Sequence, residues 1–143
     1  MADLSYKNIE DIVKGDLIMA YNEEINKFEP QLVKVSYAHH NTARVIDVLL
    51  SDGTNLGITP SHPILTIEGW KSRDIEMTLI EHDIQATWLN IGDKVITYTG
   101  ITEVINITER DIPDNYDTYN LEVEICHTYL VDGVVVHNAS VNA

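Results

Sequence analysis

The segment that most constrains the fold is residues 119–139, close to the end of the chain. Apolar and acidic residues alternate over residues 121–125, which is the pattern of a half-buried β-strand. Asp132-Gly133 is a strong signal for a hairpin turn, and the apolar, β-branched run over residues 134–136 predicts a buried strand. That strand ends directly in His137-Asn138. The segment therefore predicts a β-hairpin that holds a histidine and an asparagine at the end of its inner strand.

The His137-Asn138 pair has a specific chemistry. An asparagine can attack its own backbone carbonyl with its side-chain amide nitrogen, which closes a succinimide and breaks the chain after it. This reaction is slow in an unfolded peptide, because the amide is a poor nucleophile and the leaving backbone nitrogen needs a proton. His137 can polarise the carbonyl of Asn138, and His127 is a second histidine that can carry the proton. The ending therefore indicates self-cleavage after Asn138.

The length and composition of the chain limit its fold class and the partners that it can bind. The chain has 143 residues, enough for one domain with a sizeable core. Its net charge of −14 argues against binding to nucleic acid or to an anionic membrane surface. The acidic residues are dispersed, which favours a solvated surface over a cation site. A single cysteine excludes an internal disulfide, no apolar run is long enough to span a membrane, and residues 1–20 lack a signal-peptide pattern.

Most of the remaining sequence predicts β-strands. Segments rich in Val, Ile, Thr and Tyr recur between turn residues, which predicts an all-β body. The predicted strands are 17–21, 28–39, 42–50, 64–67, 95–98, 101–108 and 118–125. Residues 72–82 fit this pattern poorly and predict either a short helix or an irregular loop. Residues 111–117 form a loop whose three aspartates could bind calcium, although their spacing fits no EF-hand.

Two pairs of segments resemble each other and indicate an internal duplication. Residues 7–21 and residues 88–98 both place an apolar turn before Gly-Asp and a strand after it. Residues 45–63 and residues 118–138 both contain a strand, an Asp-Gly turn, a short strand and a final histidine pair, His-Pro or His-Asn. Two similar halves in a small chain predict pseudo-twofold symmetry. Chance similarity between β-hairpins is the alternative.

A second motif, Thr59-Pro60-Ser61-His62-Pro63, precedes an apolar strand. Alone it is a weak signal, since a lone histidine is more often structural. Together with the His-Asn ending and Tyr-Asn-Leu-Glu-Val-Glu at residues 119–124, it resembles the motifs of Hint domains, the self-processing domains of inteins, bacterial intein-like domains and hedgehog proteins. The resemblance extends from Ile9 to Asn138. It implies an all-β Hint fold, a compact horseshoe-like domain with pseudo-twofold internal duplication.

The resemblance also implies roles for the site residues. Thr59 and His62 would serve an N-terminal cut, in which a nucleophile on the first residue attacks the preceding carbonyl. The histidine would protonate the leaving amide nitrogen, and the threonine hydroxyl would help to polarise the bond. His127, His137 and Asn138 would form the C-terminal set. Asn120 stands where the family commonly has Asp, and it either tunes proton transfer less well or is a hydrogen-bonding strand residue.

Other departures from the family pattern favour cleavage over splicing. Residues 1–3 map just after the family's first strand, so we expect the strand that bears the nucleophile to be missing. Ala139 follows the asparagine where inteins usually carry Cys, Ser or Thr, and Ser140 is one residue too late. Cys126, beside His127, is a conceivable substitute nucleophile, but a small apolar residue in a partly buried position is the preferred interpretation.

We therefore predict a Hint-like self-processing domain over residues 1–138, followed by flanking residues 139–143. The predicted activity is single-turnover and cofactor-free, with no metal. The N-terminal acyl shift and ligation would require a complementary segment that carries the first strand. The expected partners are the flanking segments of the same chain, on a monomer that binds neither nucleic acid nor membrane.

Two other classes of protein are compatible with this sequence. The chain could instead be a non-catalytic acidic β-module of a cell surface that binds cations, or a decayed Hint domain kept as a spacer. His39, His40 and His82 are expected to be solvated or to scavenge zinc, since they lie outside the motifs. Trp70 and Trp88 are expected to lie in the core.

Overall fold

The computed structural model describes residues 12–39, 44–110, 118–123, 128–131 and 133–137. These residues form a series of strands and a helix, α1 (Ile75–His82). The strands are β1 (Leu17–Asn22), β2 (Lys27–His39), β3 (Val45–Leu50), β4 (Asn55–Ile58), β5 (Ile64–Thr66), β6 (Gly69–Ser72), β7 (Thr87–Trp88), β8 (Lys94–Thr97), β9 (Gly100–Arg110), β10 (Thr118–Val123), β11 (Thr128–Val131) and β12 (Val134–His137).

The strands build two sheets, which confirms the all-β prediction. The smaller sheet has the order β1-β2-β10, and the larger has the order β4-β3-β9-β8-β12-β5-β6-β7, with β11 paired to β12. β6 and β7 pair in parallel, whereas the long hairpins are antiparallel. The ambiguous segment over residues 72–82 contains Ser72, the last residue of β6, and all of helix α1. Among the described residues, no helix has both the length and the apolar character needed to cross a membrane.

The predicted duplication is visible at the two Gly-Asp turns. Gly15 and Gly92 have nearly the same positive φ, +93° and +98°, in a region that strongly favours glycine. The Gly15 N–H donates to the Val33 carbonyl at 2.9 Å, and the Gly92 N–H donates to the Val104 carbonyl at 2.8 Å. The β1–β2 and β8–β9 hairpins therefore begin in the same way.

The strands that follow the two hairpins repeat the correspondence. β10 pairs antiparallel with β2, and β3 pairs antiparallel with β9. Val123 lies opposite Val33, and Leu50 lies opposite Val104, each beside a shift in register. Both halves thus place the same kind of irregularity opposite the residue that binds the glycine. The two halves differ after this point, because β3 turns back directly into β4, whereas β11 forms a hairpin with β12.

β12 lies in the middle of the molecule, as its apolar sequence predicts. Val134 and Val136 pack in the main hydrophobic cluster, and Val135 faces a smaller cluster with Tyr21 and Leu65. All three valines are fully buried. A strand that is covered on both faces requires apolar residues at every position, which explains the run of three valines.

Candidate active site

His137 is the last residue of β12, so the central strand fixes its backbone. Val136 lies opposite Ile64 of β5, and the His137 N–H donates to the Pro63 carbonyl at 3.3 Å. Because Pro63 directly follows His62, this bond brings the two motifs found in the sequence side by side. The fold thus joins a segment from the middle of the chain to one near its end.

The Thr59–His62 segment forms a turn between β4 and β5. The His62 N–H donates to the Thr59 carbonyl at 3.1 Å, which closes the turn. The His62 side chain is buried, and its ring lies 6.2 Å from the ring of Tyr129 on β11. Thr59 is half-buried at the start of the turn. The structure therefore holds both predicted residues of the N-terminal pair in one ordered turn.

Helix α1 anchors that turn through Ser61. The Ser61 hydroxyl donates to the Glu81 carboxylate at 2.6 Å, and the Ser61 carbonyl lies 2.6 Å from the Thr78 hydroxyl. Thr78 is fully buried, and its hydroxyl also lies 2.6 Å from that of Ser72. The helix begins at Asp74, whose carboxylate accepts from the Met77 N–H at 3.1 Å as an N-cap. The position of His62 therefore depends on a helix that the sequence left ambiguous.

His82, the last residue of α1, is the functional candidate that sequence reasoning missed. We expected a solvated side chain, but His82 is only 6% exposed. Its ring centroid lies 5.6 Å from that of His62 and 5.8 Å from that of His137. The expectation was wrong because no short motif surrounds His82, and the two histidine rings beside it come from distant segments of the chain.

Trp70 on β6 contacts His137 from another element. The two rings meet edge to face, with centroids 5.2 Å apart and planes at 85°. The Trp70 indole N–H donates to the Glu23 carboxylate at 3.1 Å, in the turn between β1 and β2. Partial burial raises the pKa of Glu23, and the bond from Trp70 opposes that shift. Trp70 thus connects the first hairpin of the fold to His137.

Thr128 fixes the strand that follows His127. Its hydroxyl accepts from the Tyr21 N–H at 2.8 Å and donates to the Tyr21 carbonyl at 2.8 Å. The side chain is fully buried, so it satisfies two backbone groups of β1 that water cannot reach. The Thr128 hydroxyl takes the place of a backbone partner from a neighbouring strand, and it joins β11 to β1 of the smaller sheet.

The remaining predicted residues are described in part or not at all. Asn138 and His127 lie outside the described residues, as do Cys126, His40 and the 111–117 loop. Asn120 lies in β10, where it pairs with Tyr37 of β2. The prediction that Trp88 lies in the core was wrong, because its side chain is half exposed. The Arg73 guanidinium carbon lies over the Trp88 ring, 5.9 Å from the ring centroid.

In the part of the chain that the structure describes, no group of three or more His, Cys, Asp or Glu side chains is arranged to hold a metal ion. His62, His82 and His137 therefore form a cluster of neighbouring rings and not a set of converging ligands. Such a cluster can hold, orient and exchange protons.

Known proteins resemble this chain in sequence pattern and in fold. The family description "Pretoxin HINT domain" matches residues 2–141. The Ssp DnaB mini-intein variant M86 has a TM-score of 0.72 at 20% identity, over 92% of this chain and 82% of its own. The bacterial intein-like domain from Clostridium thermocellum has a TM-score of 0.72 at 24% identity, over 91% and 86%. A DnaB intein from Synechocystis sp. PCC 6803 has a TM-score of 0.72 at 22% identity, over 96% and 89%. No curated protein sequence matches.

Proposed function

The chain belongs to the pretoxin HINT domain family, and we propose on this premise that it cleaves its own backbone after Asn138. The observation that carries the proposal is the position of His137. It ends a strand buried on both faces, it contacts Trp70 and His82, and the next residue is an asparagine. A binding module has no physical need for a histidine and an asparagine at that place.

The proposed reaction is an intramolecular acyl transfer. The side-chain nitrogen of Asn138 attacks the backbone carbonyl carbon of the same residue and forms the ring bond of a succinimide. The bond from that carbon to the nitrogen of Ala139 breaks. The attacking nitrogen loses one proton, and the leaving nitrogen gains one, so the protons balance. His137 polarises the carbonyl and His127 moves the proton, as general acid–base catalysis requires.

The second part of the proposal concerns the N-terminal junction. His62 would protonate the leaving nitrogen of an acyl shift, and Thr59 would polarise the bond that breaks. This step needs a Cys- or Ser-bearing first strand, and pairing with an open sheet edge is a physical route for a separate segment to supply it. Because Ala139 offers no side-chain nucleophile, release of the C-terminal flank is the expected outcome and splicing is not.

The test is the intact mass of the chain fused to a folded tag after Ala143, followed over time at neutral pH. We expect release of a tag that begins with Ala139, with a residual chain that ends in succinimide or its hydrolysis product. Asn138→Ala should abolish release, and His137→Ala should slow it by about 100-fold or more, in line with the loss of a general acid–base group.

The control for this test is Ile80→Ala, on the exposed face of helix α1, which should leave the rate unchanged. A wild-type fusion that is folded and remains whole for days, with and without an added Cys-bearing first strand, would contradict the proposal. That outcome would favour a decayed domain that serves as a spacer.

A further inference from the structure

His82 lies between the two histidines that the proposed chemistry assigns to opposite ends of the domain. It contacts His62, of the turn between β4 and β5, at 5.6 Å between ring centroids. It contacts His137, at the end of β12, at 5.8 Å. A proton on His82 is therefore within about 6 Å of both other rings, where like charges interact strongly in a partly buried site.

The helix end that carries His82 favours a proton on this ring, and burial of the ring opposes it. His82 is the last residue of an eight-residue helix, and the C-terminal end of a helix favours a cation. The Glu81 carboxylate of the same helix binds the Ser61 hydroxyl at 2.6 Å, next to His62.

Other charged and titratable groups face the cluster from the neighbouring elements. Tyr129 of β11 contacts His62, and Glu23 reaches the cluster through Trp70. On β6, the ammonium of Lys71 is turned to Asp93 at 2.9 Å and to Glu68 at 3.0 Å. The Asp93 bond raises the pKa of Lys71, which therefore remains charged and ion-paired through the range in which histidines titrate.

We propose that His82 is a positioning residue that couples His62 to His137 by holding the proton for which these two histidines compete. While His82 is charged, it disfavours a second proton on either neighbour. Uptake of a proton by His137 would then require His82 to give up its own. Protonation of the histidine at one junction therefore changes the protonation of the histidine at the other. This inference rests on the proposed function for its consequence, but the coupling itself can be measured without any cleavage.

The first measurement is a histidine-selective NMR titration of the Asn138→Ala chain, which cannot cleave. In that chain the signal of His137 should titrate in two steps, because it responds to His82 as well as to its own proton. In His82→Phe and in His82→Gln, the titration midpoints of His62 and His137 should rise by about one pH unit, since the neighbouring charge is lost. Ile80→Ala should leave both midpoints unchanged.

The outcomes separate a charge effect from a packing effect. Phenylalanine keeps an aromatic ring and glutamine keeps a polar group, so a rise in both variants identifies the charge as the cause. A single-step titration of His137 in the Asn138→Ala chain, which retains His82, would overturn the proposal. This result does not depend on whether the two His82 variants fold. Midpoints that stay fixed or fall in folded His82 variants would also overturn it.

The second measurement is the rate of tag release by the Asn138 chain as a function of pH. If protonated His137 polarises the carbonyl of Asn138, the rate falls as pH rises, and in His82→Phe this fall should move up by the same one pH unit. A wild-type chain that never cleaves would refute the proposed function and leave the titration to decide the coupling. Unchanged pH profiles in both variants of a cleaving chain would refute the coupling alone.

Discussion

At the scale of single residues, the hydroxyl of Thr128 has an unusual structural role. It forms hydrogen bonds to both backbone groups of Tyr21, with no exposure to solvent. Thr128→Val keeps the shape and removes both bonds, so we expect it to lower the free energy of unfolding by about 2 kcal/mol. Chemical denaturation measures this loss. Thr128→Ser, which keeps the hydroxyl, should retain most of the stability, and equal losses in the two variants would show that the methyl group matters more.

Glu23 provides a second prediction at this scale, because partial burial raises its pKa. The folded state then binds the Glu23 proton more tightly than the unfolded state does. Its contribution to stability is therefore complete at low pH and is lost as pH rises through the raised pKa. Glu23→Gln stays neutral and still accepts from Trp70, so its stability relative to wild type should increase as pH rises through the raised pKa of Glu23.

Denaturation curves at several pH values measure this difference between Glu23→Gln and wild type. Glu24→Gln, at the next position of the same turn, removes the same charge and is the matched control. A Glu23→Gln difference that stays constant with pH would contradict the prediction.

At the scale of elements, helix α1 is the support of the candidate site. The Thr78 hydroxyl has one proton, so it donates to one carbonyl of Ser61 or Asp74 and can accept from the Ser72 hydroxyl. Thr78→Val leaves these buried groups without their partner. We expect a loss of about 1 to 3 kcal/mol in unfolding free energy.

The same Thr78 substitution should loosen the turn that holds His62. In a fusion that carries a Cys-bearing first strand, we expect the N-terminal reaction to slow more than release of the C-terminal tag does. Thr78→Ser is the control, because it keeps the hydroxyl that reaches the Ser61 carbonyl. Equal slowing of the two reactions in a folded Thr78→Val chain would show that α1 supports the site as a whole and not the His62 turn in particular.

The predictability of the fold also differs between elements. The β-strands with alternating or fully apolar residues were predicted correctly. Burial of one face requires alternating apolar residues, and burial of both faces requires a continuous apolar run, so both patterns can be seen in the sequence. Strand β6 was missed because it carries Lys71 and Ser72, which are buried through an ion pair and a hydroxyl bond that only the tertiary structure supplies. His82 was misjudged for the same kind of reason, because its neighbours come from two distant segments.

At the scale of the whole molecule, the two Gly-Asp turns test whether the duplicated halves unfold as one unit. The main hydrophobic cluster contains Ile18 and Val33 from the first hairpin together with Val95 and Val104 from the second. A shared core of this kind favours a single cooperative transition. Trp70 binds Glu23 in the β1–β2 turn, whereas Trp88 lies outside that hairpin. The chains compared below therefore carry Trp70→Phe, so that tryptophan fluorescence reports on the rest of the molecule through Trp88.

Gly15→Ala places a β-carbon at a φ of +93° with open space around it, so its cost comes from the backbone conformation alone. We expect a loss of about 1 to 2 kcal/mol in unfolding free energy, from the penalty of a left-handed conformation for alanine. Gly92→Ala, at +98°, is the matched substitution in the other half and should cost about the same. If the halves share one transition, Gly15→Ala lowers the midpoint seen by fluorescence as much as the midpoint seen by circular dichroism. A Gly15→Ala chain in which the fluorescence midpoint stays at the wild-type value would show that the first hairpin unfolds by itself, and that the two halves keep separate stabilities despite their common core.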